Sequence, residues 1–197
     1  MNQEIINCEK CDLSNNRVKV VLPDKGENCL GLLVIGEAPG AKEEAEGEGF
    51  LGAAGARLDE ILLSNGIRRD QYSRCNMVFC RPPSNRNPTK KEINECSKWL
   101  KLIIHQFNPS VILTIGRVPS FSFYNGKKSL LDVIELSKEL NYNPQLSWLD
   151  EKIKVIPSPH TSGLCYNRTA PNKIKWSIII NEQIKIASDS LKEIKNV

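Results

Sequence analysis

The sequence predicts an α/β fold, a three-layer α/β/α sandwich built on a four-stranded parallel sheet. Four short apolar runs have the residues of strands, and helical patterns separate them. The runs are predominantly apolar instead of alternating, as strands covered on both faces require. Two of them close on a glycine, where a strand can turn sharply into the next segment.

Residues 32–35 form the first strand, closed by Gly36. Residues 54–63 put Leu58, Ile61 and Leu62 on one side of a helix that stops at Asn65-Gly66. Residues 76–79 read as the second strand. Thr89 caps a helix running to Ile104, and Glu92 three residues on completes a capping box. Residues 111–115 are the third strand, closed by Gly116, and residues 154–156 the fourth. Residues 173–194 make a last amphipathic helix, while 126–140 suggest another and 141–148 a polar connection. With 197 residues and no repeat or linker, residues 1–197 are expected to form a single domain.

A chain that is 40% hydrophobic and 25% charged has the make-up of a soluble globular protein. No stretch has the length of a membrane span, and Met1-Asn2-Gln3-Glu4 lacks the pattern of an export signal, so a cytoplasmic protein without a membrane partner is expected. A net charge of +4 permits an anionic partner without demanding one. Seven cysteines, an odd number, argue against a disulfide framework in such a chain.

In sheets of this kind ligands bind beyond the carboxyl ends of the strands, here after Ile35, Val78, Ile115 and Ile156. The unusual motifs gather there. Gly36-Glu37-Ala38-Pro39-Gly40 follows the first strand, and a second glycine-rich stretch, 47–55, runs into a helix. Neither is a Walker A loop or a dinucleotide fingerprint, but both let backbone approach a ligand closely. Of the acids beside them, Glu43, Glu44, Glu46 and Glu48, one aimed into a cleft could orient a water. Cys8 and Cys11 form a C-x-x-C pair, and Cys80 and Cys96 flank the proline-rich segment 81–88. Four thiolates suit a tetrahedral zinc or a [4Fe–4S] cluster, and spacing does not choose between these or a set of small buried hydrophobes. Cys29, Cys75 and Cys165 are expected to be unligated, with Cys75 in the core.

Taken in order, Cys8-x-x-Cys11, Gly36-Glu37-Ala38-Pro39-Gly40, Gly49-Phe50-Leu51-Gly52-x-x-Gly55, Asn76-Met77-Val78-Phe79-Cys80-Arg81-Pro82-Pro83, Asn85-Arg86, Cys96 and Thr114-Ile115-Gly116-Arg117 resemble family 4 uracil-DNA glycosylases, the iron–sulfur branch of the uracil-DNA glycosylase superfamily. The resemblance runs from Cys8 to about Arg168. It implies a four-stranded parallel sheet between helices and a [4Fe–4S] cluster on Cys8, Cys11, Cys80 and Cys96. It also implies a monomer acting on uracil-containing DNA, single- or double-stranded. The reaction it implies is monofunctional: the N-glycosidic bond of a flipped-out deoxyuridine is hydrolysed, leaving an abasic site.

The resemblance also assigns roles. Phe50 stacks on uracil and Asn76 reads its O4 and N3–H with one amide. His160 donates to O2 as charge builds there, and Glu43 supports the water and the sugar cation. Glu37 and Ala38 line the uracil or water site, and Asn85 is a further polar contact. Ala38 stands where family 1 relatives place a catalytic aspartate, so water activation is expected to be shared or weaker. Leu164 wedges into the base stack, while Ser162, Arg168 and Arg86 face phosphates; Lys90 and Lys91 could join them, but a solvated surface is the expectation for these lysines. The chain departs from the family at His160-Thr161-Ser162-Gly163-Leu164, which lacks the usual proline after histidine, and over 121–148. Those departures motivate two alternatives: a glycosylase for another deaminated base such as hypoxanthine, and a non-catalytic damaged-DNA-binding module. Covalent trapping is discounted, because 81–95 holds no histidine.

Overall fold

The computed structural model describes residues 1–124, 129–139, 144 and 146–195. In chain order the elements are α1 (Asn2–Ile6), β1 (Leu32–Gly36), α2 (Ala41–Glu46), α3 (Ala53–Ser64), β2 (Ser73–Asn76), α4 (Lys90–Phe107), β3 (Val111–Ile115), α5 (Arg117–Phe123), α6 (Leu130–Lys138), β4 (Lys154–Ser158), α7 (Gly163–Tyr166) and α8 (Trp176–Lys195). The four strands pair in parallel in the order β2-β1-β3-β4. A parallel strand cannot follow its neighbour through a tight turn, so each connection crosses a face of the sheet and covers it.

Alternate residues of β1 and β3 feed two cores. Leu33, Ile35 and Ile112 pack with Leu100 and Ile103 of α4, Phe123 of α5 and Val133 of α6. On the other face Leu32, Val34 and Leu113 pack with Leu58 and Leu62 of α3 and with Ile180, Ile184 and Ala187 of α8. The fold is therefore an α/β/α sandwich on a four-stranded parallel sheet.

Three local expectations shift. The second strand is Ser73–Asn76, not 76–79. Residues 77–79 are buried beyond the strand: the Met77 amide still donates to the Gly36 carbonyl at 2.9 Å, and the Phe79 carbonyl accepts from the Val21 amide at 2.9 Å. The strand hid behind polar residues that have partners elsewhere: Ser73 donates to the Lys25 carbonyl at 2.6 Å, and Arg74 pairs with Asp24. The last helix begins at Trp176, because residues 169–175 fold back in a small turn that bridges Thr169 to Lys175, with Lys173 at a φ of 66°. Of the helix expected over 126–140, residues 130–138 are helical, with Ser129 accepting from the Asp132 amide at 3.2 Å. Residues 126–128 and 140 lie outside the described residues, as does most of 141–145. The box at Thr89 forms as expected, Thr89 accepting from the Glu92 amide at 3.2 Å and Glu92 from the Thr89 amide at 2.7 Å. Cys75 is buried in β2. Among the described residues no helix is long and apolar enough to cross a membrane.

Candidate active site

The carboxyl ends of the strands bring three separated side chains to one edge. Asn76 closes β2 in register with Gly36, which closes β1. A methyl group at Gly36 would collide with the Asn76 amide oxygen and meet the Phe50 ring at 2.9 Å, so amide and ring converge over the end of β1. His160 follows β4 by two residues, and its ring lies over Gly116, where a methyl would meet imidazole Cδ2 at 3.2 Å. Gly116, at a φ of 98°, follows β3, the neighbour of β1. Adjacent strands lie about 4.8 Å apart. The amide and the imidazole thus stand over neighbouring strand ends, with the aromatic ring beside the amide.

Each is held in a defined state. Asn76 is 5% exposed, so whatever meets its amide is read without competition from bulk water. The Ser162 amide donates to His160 Nδ1 at 3.0 Å. Nδ1 is therefore the acceptor nitrogen, and the ring proton sits on Nε2. Burial lowers the His160 pKa from its ordinary value, which keeps the imidazole neutral with Nε2–H as a donor.

Phe50 has a φ of 62°, a left-handed backbone that a phenylalanine adopts only under constraint. Arg69 supplies it. Its guanidinium donates to the Gly49 carbonyl at 3.0 Å and the Phe50 carbonyl at 3.3 Å while pairing with Glu48 and Asp59, both at 2.8 Å. Tyr72 donates to the other Asp59 oxygen. Sequence reasoning missed this residue, which lies in a short 3₁₀ turn before β2.

The other expected residues fall into two groups. Glu37 follows Gly36 and is half-buried, and desolvation raises its carboxyl pKa above the ordinary value. Ala38 is half-buried next to it. Leu164 is 75% exposed in the first turn of α7, and Ser162 caps that helix. Arg168 is exposed just after it. The rest are engaged within the protein. Glu43 accepts from the Gly52 amide at 2.9 Å and so closes the turn that carries Phe50. Asn85 is exposed and accepts from Arg81 at 2.7 Å. Arg86 grips Glu92 through two bonds of 2.9 and 2.6 Å, and this lowers the Glu92 pKa to about 2.

All seven cysteines are free. Cys80 and Cys96 lie within electrostatic reach of Cys8 and Cys11. Among the described residues, however, no group of three or more His, Cys, Asp or Glu is drawn close enough to hold a single metal ion. An N–H group is aimed at each sulfur of the four: Trp99 Nε1 at Cys8 (3.4 Å), the Leu13 amide at Cys11, Arg17 Nη1 at Cys80 (3.8 Å) and the Phe79 amide at Cys96. Arg17 also donates to the Cys8 and Ile6 carbonyls. Burial raises the Cys11 and Cys80 thiols above their ordinary value and pushes Cys96 up to about 12. Thiols so buried ionise only against a compensating positive charge, and N–H donors aimed at sulfur suit thiolate ligands. The chemistry of Cys8, Cys11, Cys80 and Cys96 therefore suits thiolate ligation of a metal centre.

A parallel sheet with amide, ring and imidazole at its carboxyl edge describes a site for a flat, polar-edged ring. The model of the Uracil DNA glycosylase superfamily matches residues 23–184, and the chain belongs to that superfamily and, within it, to the type-4 family. It is 36% identical to a "Type-4 uracil-DNA glycosylase" of Thermotoga maritima over 98% of this chain and 94% of that protein. It is 35% identical to one of Archaeoglobus fulgidus over 83% and 81%, and 33% identical to one of Sulfurisphaera tokodaii over 94% and 80%.

Proposed function

We propose that this protein excises uracil from DNA, hydrolysing the bond between uracil N1 and deoxyribose C1′ and leaving an abasic site. The observation that carries the reading is the His160 imidazole, its Nδ1 held as an acceptor by the Ser162 amide, on the same sheet edge as the Asn76 amide and the Phe50 ring. A base in a duplex must first be extruded, and Leu164 fills the gap it leaves. Phe50 stacks on the flat ring. Asn76 offers one donor to O4 and one acceptor to N3–H; cytosine has the reverse polarity at those atoms and would leave the buried amide unpaired. As the N1–C1′ bond breaks, its electron pair moves into the ring and charge collects on O2, where His160 Nε2–H donates. A neutral donor stabilises that anion without transferring its proton. Water adds to C1′, and its proton passes to Glu37, whose desolvated carboxyl has the raised basicity such a step needs. Glu43 acts one step back, holding the Phe50 turn closed.

Cys8, Cys11, Cys80 and Cys96 would hold a [4Fe–4S] cluster, and when bound the group supplies four iron–thiolate bonds that cross-link the N-terminal segment, the loop after β2 and α4. The residues around it anchor these segments near the DNA face. Arg168 is free for a phosphate, whereas Arg86 would first have to release Glu92.

The test is release of uracil from a labelled oligonucleotide followed by alkaline cleavage. His160→Ala is expected to lower the rate by about 10²–10³, the usual loss for one donor to a developing anion, and Asn76→Ala to lower it strongly too, both with DNA binding largely intact. Unchanged cleavage by either variant refutes the site.

A further inference from the structure

The loop that carries both His160 and Leu164 is tied to the helix behind the Phe50 turn at three points. Thr161, 2% exposed, donates its hydroxyl to the Ala54 carbonyl at 2.8 Å. Arg57, one turn further along α3, donates back to the Thr161 carbonyl at 2.8 Å. The same guanidinium lies 5.0 Å over the Tyr166 ring at the end of α7. Proline at position 161 could make neither the first bond nor a substitute for it, since it has no hydroxyl. Ala54 lies in the first turn of α3, four residues after Phe50, and Leu164 is three residues after Thr161.

The mechanical need is plain. α7 has four residues, too few to be stable by itself, and its Leu164 projects into solvent. A wedge that unstacks a base pair is pushed back with the energy of the stack it opens, a few kcal/mol for a paired base and much less for a base already unpaired. That load passes along α7 to whatever fixes it, and Thr161, Arg57 and Tyr166 fix it to α3.

Resting on the uracil-excision reading above, we propose that Thr161 and Arg57 are positioning residues: a clamp that keeps Leu164 in register with the Phe50 turn, so that base extrusion from duplex DNA depends on it more than excision from single strands does. Neither residue touches the reacting atoms.

The experiment compares Thr161→Val, Thr161→Ser and Arg57→Ala with the wild-type chain in single-turnover uracil release from duplex and single-stranded oligonucleotides of one sequence. Fluorescence of a 2-aminopurine beside the uracil reports extrusion separately from chemistry. Valine keeps the shape of threonine and loses the hydroxyl. Losing one buried hydrogen bond is expected to slow duplex release about five- to tenfold, with single-strand release within about twofold of wild type. The aminopurine signal is expected to fall in parallel. Thr161→Ser restores the hydroxyl and should restore the duplex rate, which a merely bulk-sensitive position would not do. Arg57→Ala should show the same duplex-selective loss. Equal losses on both substrates, or an unchanged duplex rate in Thr161→Val, overturn the clamp. Should the wild-type chain release uracil from neither DNA, the excision reading fails instead, and the clamp is judged on the aminopurine signal alone: an unchanged signal in Thr161→Val overturns it.

Discussion

Arg69 is the residue on which the shape of the aromatic wall depends most directly, and Arg69→Met removes its guanidinium while keeping most of its stem. Phe50 sits at a φ of 62°, a conformation that costs a non-glycine residue about 1–3 kcal/mol. Arg69 holds it there through the Gly49 and Phe50 carbonyls and pairs with Asp59 and Glu48. The Glu48 carboxylate is 48% exposed, so that pair contributes about 0.5 kcal/mol or less after screening. The pair with Asp59, 28% exposed, contributes about 1 kcal/mol, and the two carbonyl bonds about 1 kcal/mol each. Without them the turn relaxes and recovers part of its backbone strain. The expected net loss is about 2–3 kcal/mol, measured as a shift of the urea midpoint at constant slope. Arg69→Lys separates stability from positioning. A single ammonium can keep one ion pair but cannot span two carbonyls and two carboxylates, so it should recover roughly half the stability. It should nevertheless leave Phe50 free to turn away. Base stacking on an aromatic ring contributes about 1–3 kcal/mol, so both variants should release uracil about 5- to 100-fold more slowly at limiting DNA. A loss below about 0.5 kcal/mol in Arg69→Met, or full activity in Arg69→Lys, would show that the turn holds itself.

Two further outcomes concern protonation and the cysteines. Because burial lowers the His160 pKa below its ordinary 6.5, the imidazole stays neutral in the fold while an unfolded chain already takes up a proton. Uracil release should therefore persist below pH 6.5 and fall only in more acid solution, and this residue's share of stability should decline as the pH drops from 6.5 toward the lowered folded value. A pH–rate profile with its acid limb at or above pH 6.5 that persists in Glu37→Gln refutes the neutral donor. Cys96→Ala should abolish the visible absorption of an iron–sulfur cluster in protein purified without oxygen and lower the melting temperature, whereas Cys29→Ala should do neither. Retained colour in Cys96→Ala refutes the ligand set.

What the sequence could disclose depended on how far apart the interacting residues lie. Strands β1, β3 and β4 were legible because burial on both faces leaves runs such as Leu32-Leu33-Val34-Ile35 with no polar member. Strand β2 was not, since Ser73, Arg74 and Asn76 are polar, and Ser73 and Arg74 find partners in Lys25, Asp24 and Glu48 from distant segments. The apolar residues just after it drew the expected strand three places too late. Local chemistry read well at the Thr89–Glu92 box, whose residues are three apart, whereas nothing in the sequence pointed to the Ser162 amide that bonds His160, the resemblance assigning Ser162 to phosphate. The supports of the site did not read well, because they join Arg69 to Gly49, Arg17 to Cys80, Trp99 to Cys8 and Thr161 to Ala54, separations of 20, 63, 91 and 107 residues. A side-chain donor that holds a partner across such a distance leaves no periodic trace. Asn85 and Arg86 illustrate the converse: their motif is plain in the sequence, yet Asn85 Oδ1 accepts from Arg81 and the Arg86 guanidinium donates to Glu92.

The strand order explains why residues so scattered can act together. Asn76 and His160 are 84 positions apart and follow the two outermost strands, β2 and β4, which would hold their backbones three strand spacings, about 14 Å, from each other. That is too wide for one pyrimidine. The gap closes only because the two inner strands end in glycine. With no Cβ at Gly36 the Asn76 amide leans inward over β1, and with none at Gly116 the imidazole leans inward over β3. The two glycines therefore bring the Asn76 amide and the His160 imidazole from the outer edges of the sheet toward its centre, where Phe50 already sits. They have to be glycines for different reasons. Gly36 leaves no room for a methyl beside Asn76, while Gly116 combines a tight approach to His160 with a φ of 98°, a backbone that L side chains rarely adopt. The width of the site is thus set by the backbone of the inner strands, and its chemistry is delivered from the outer ones.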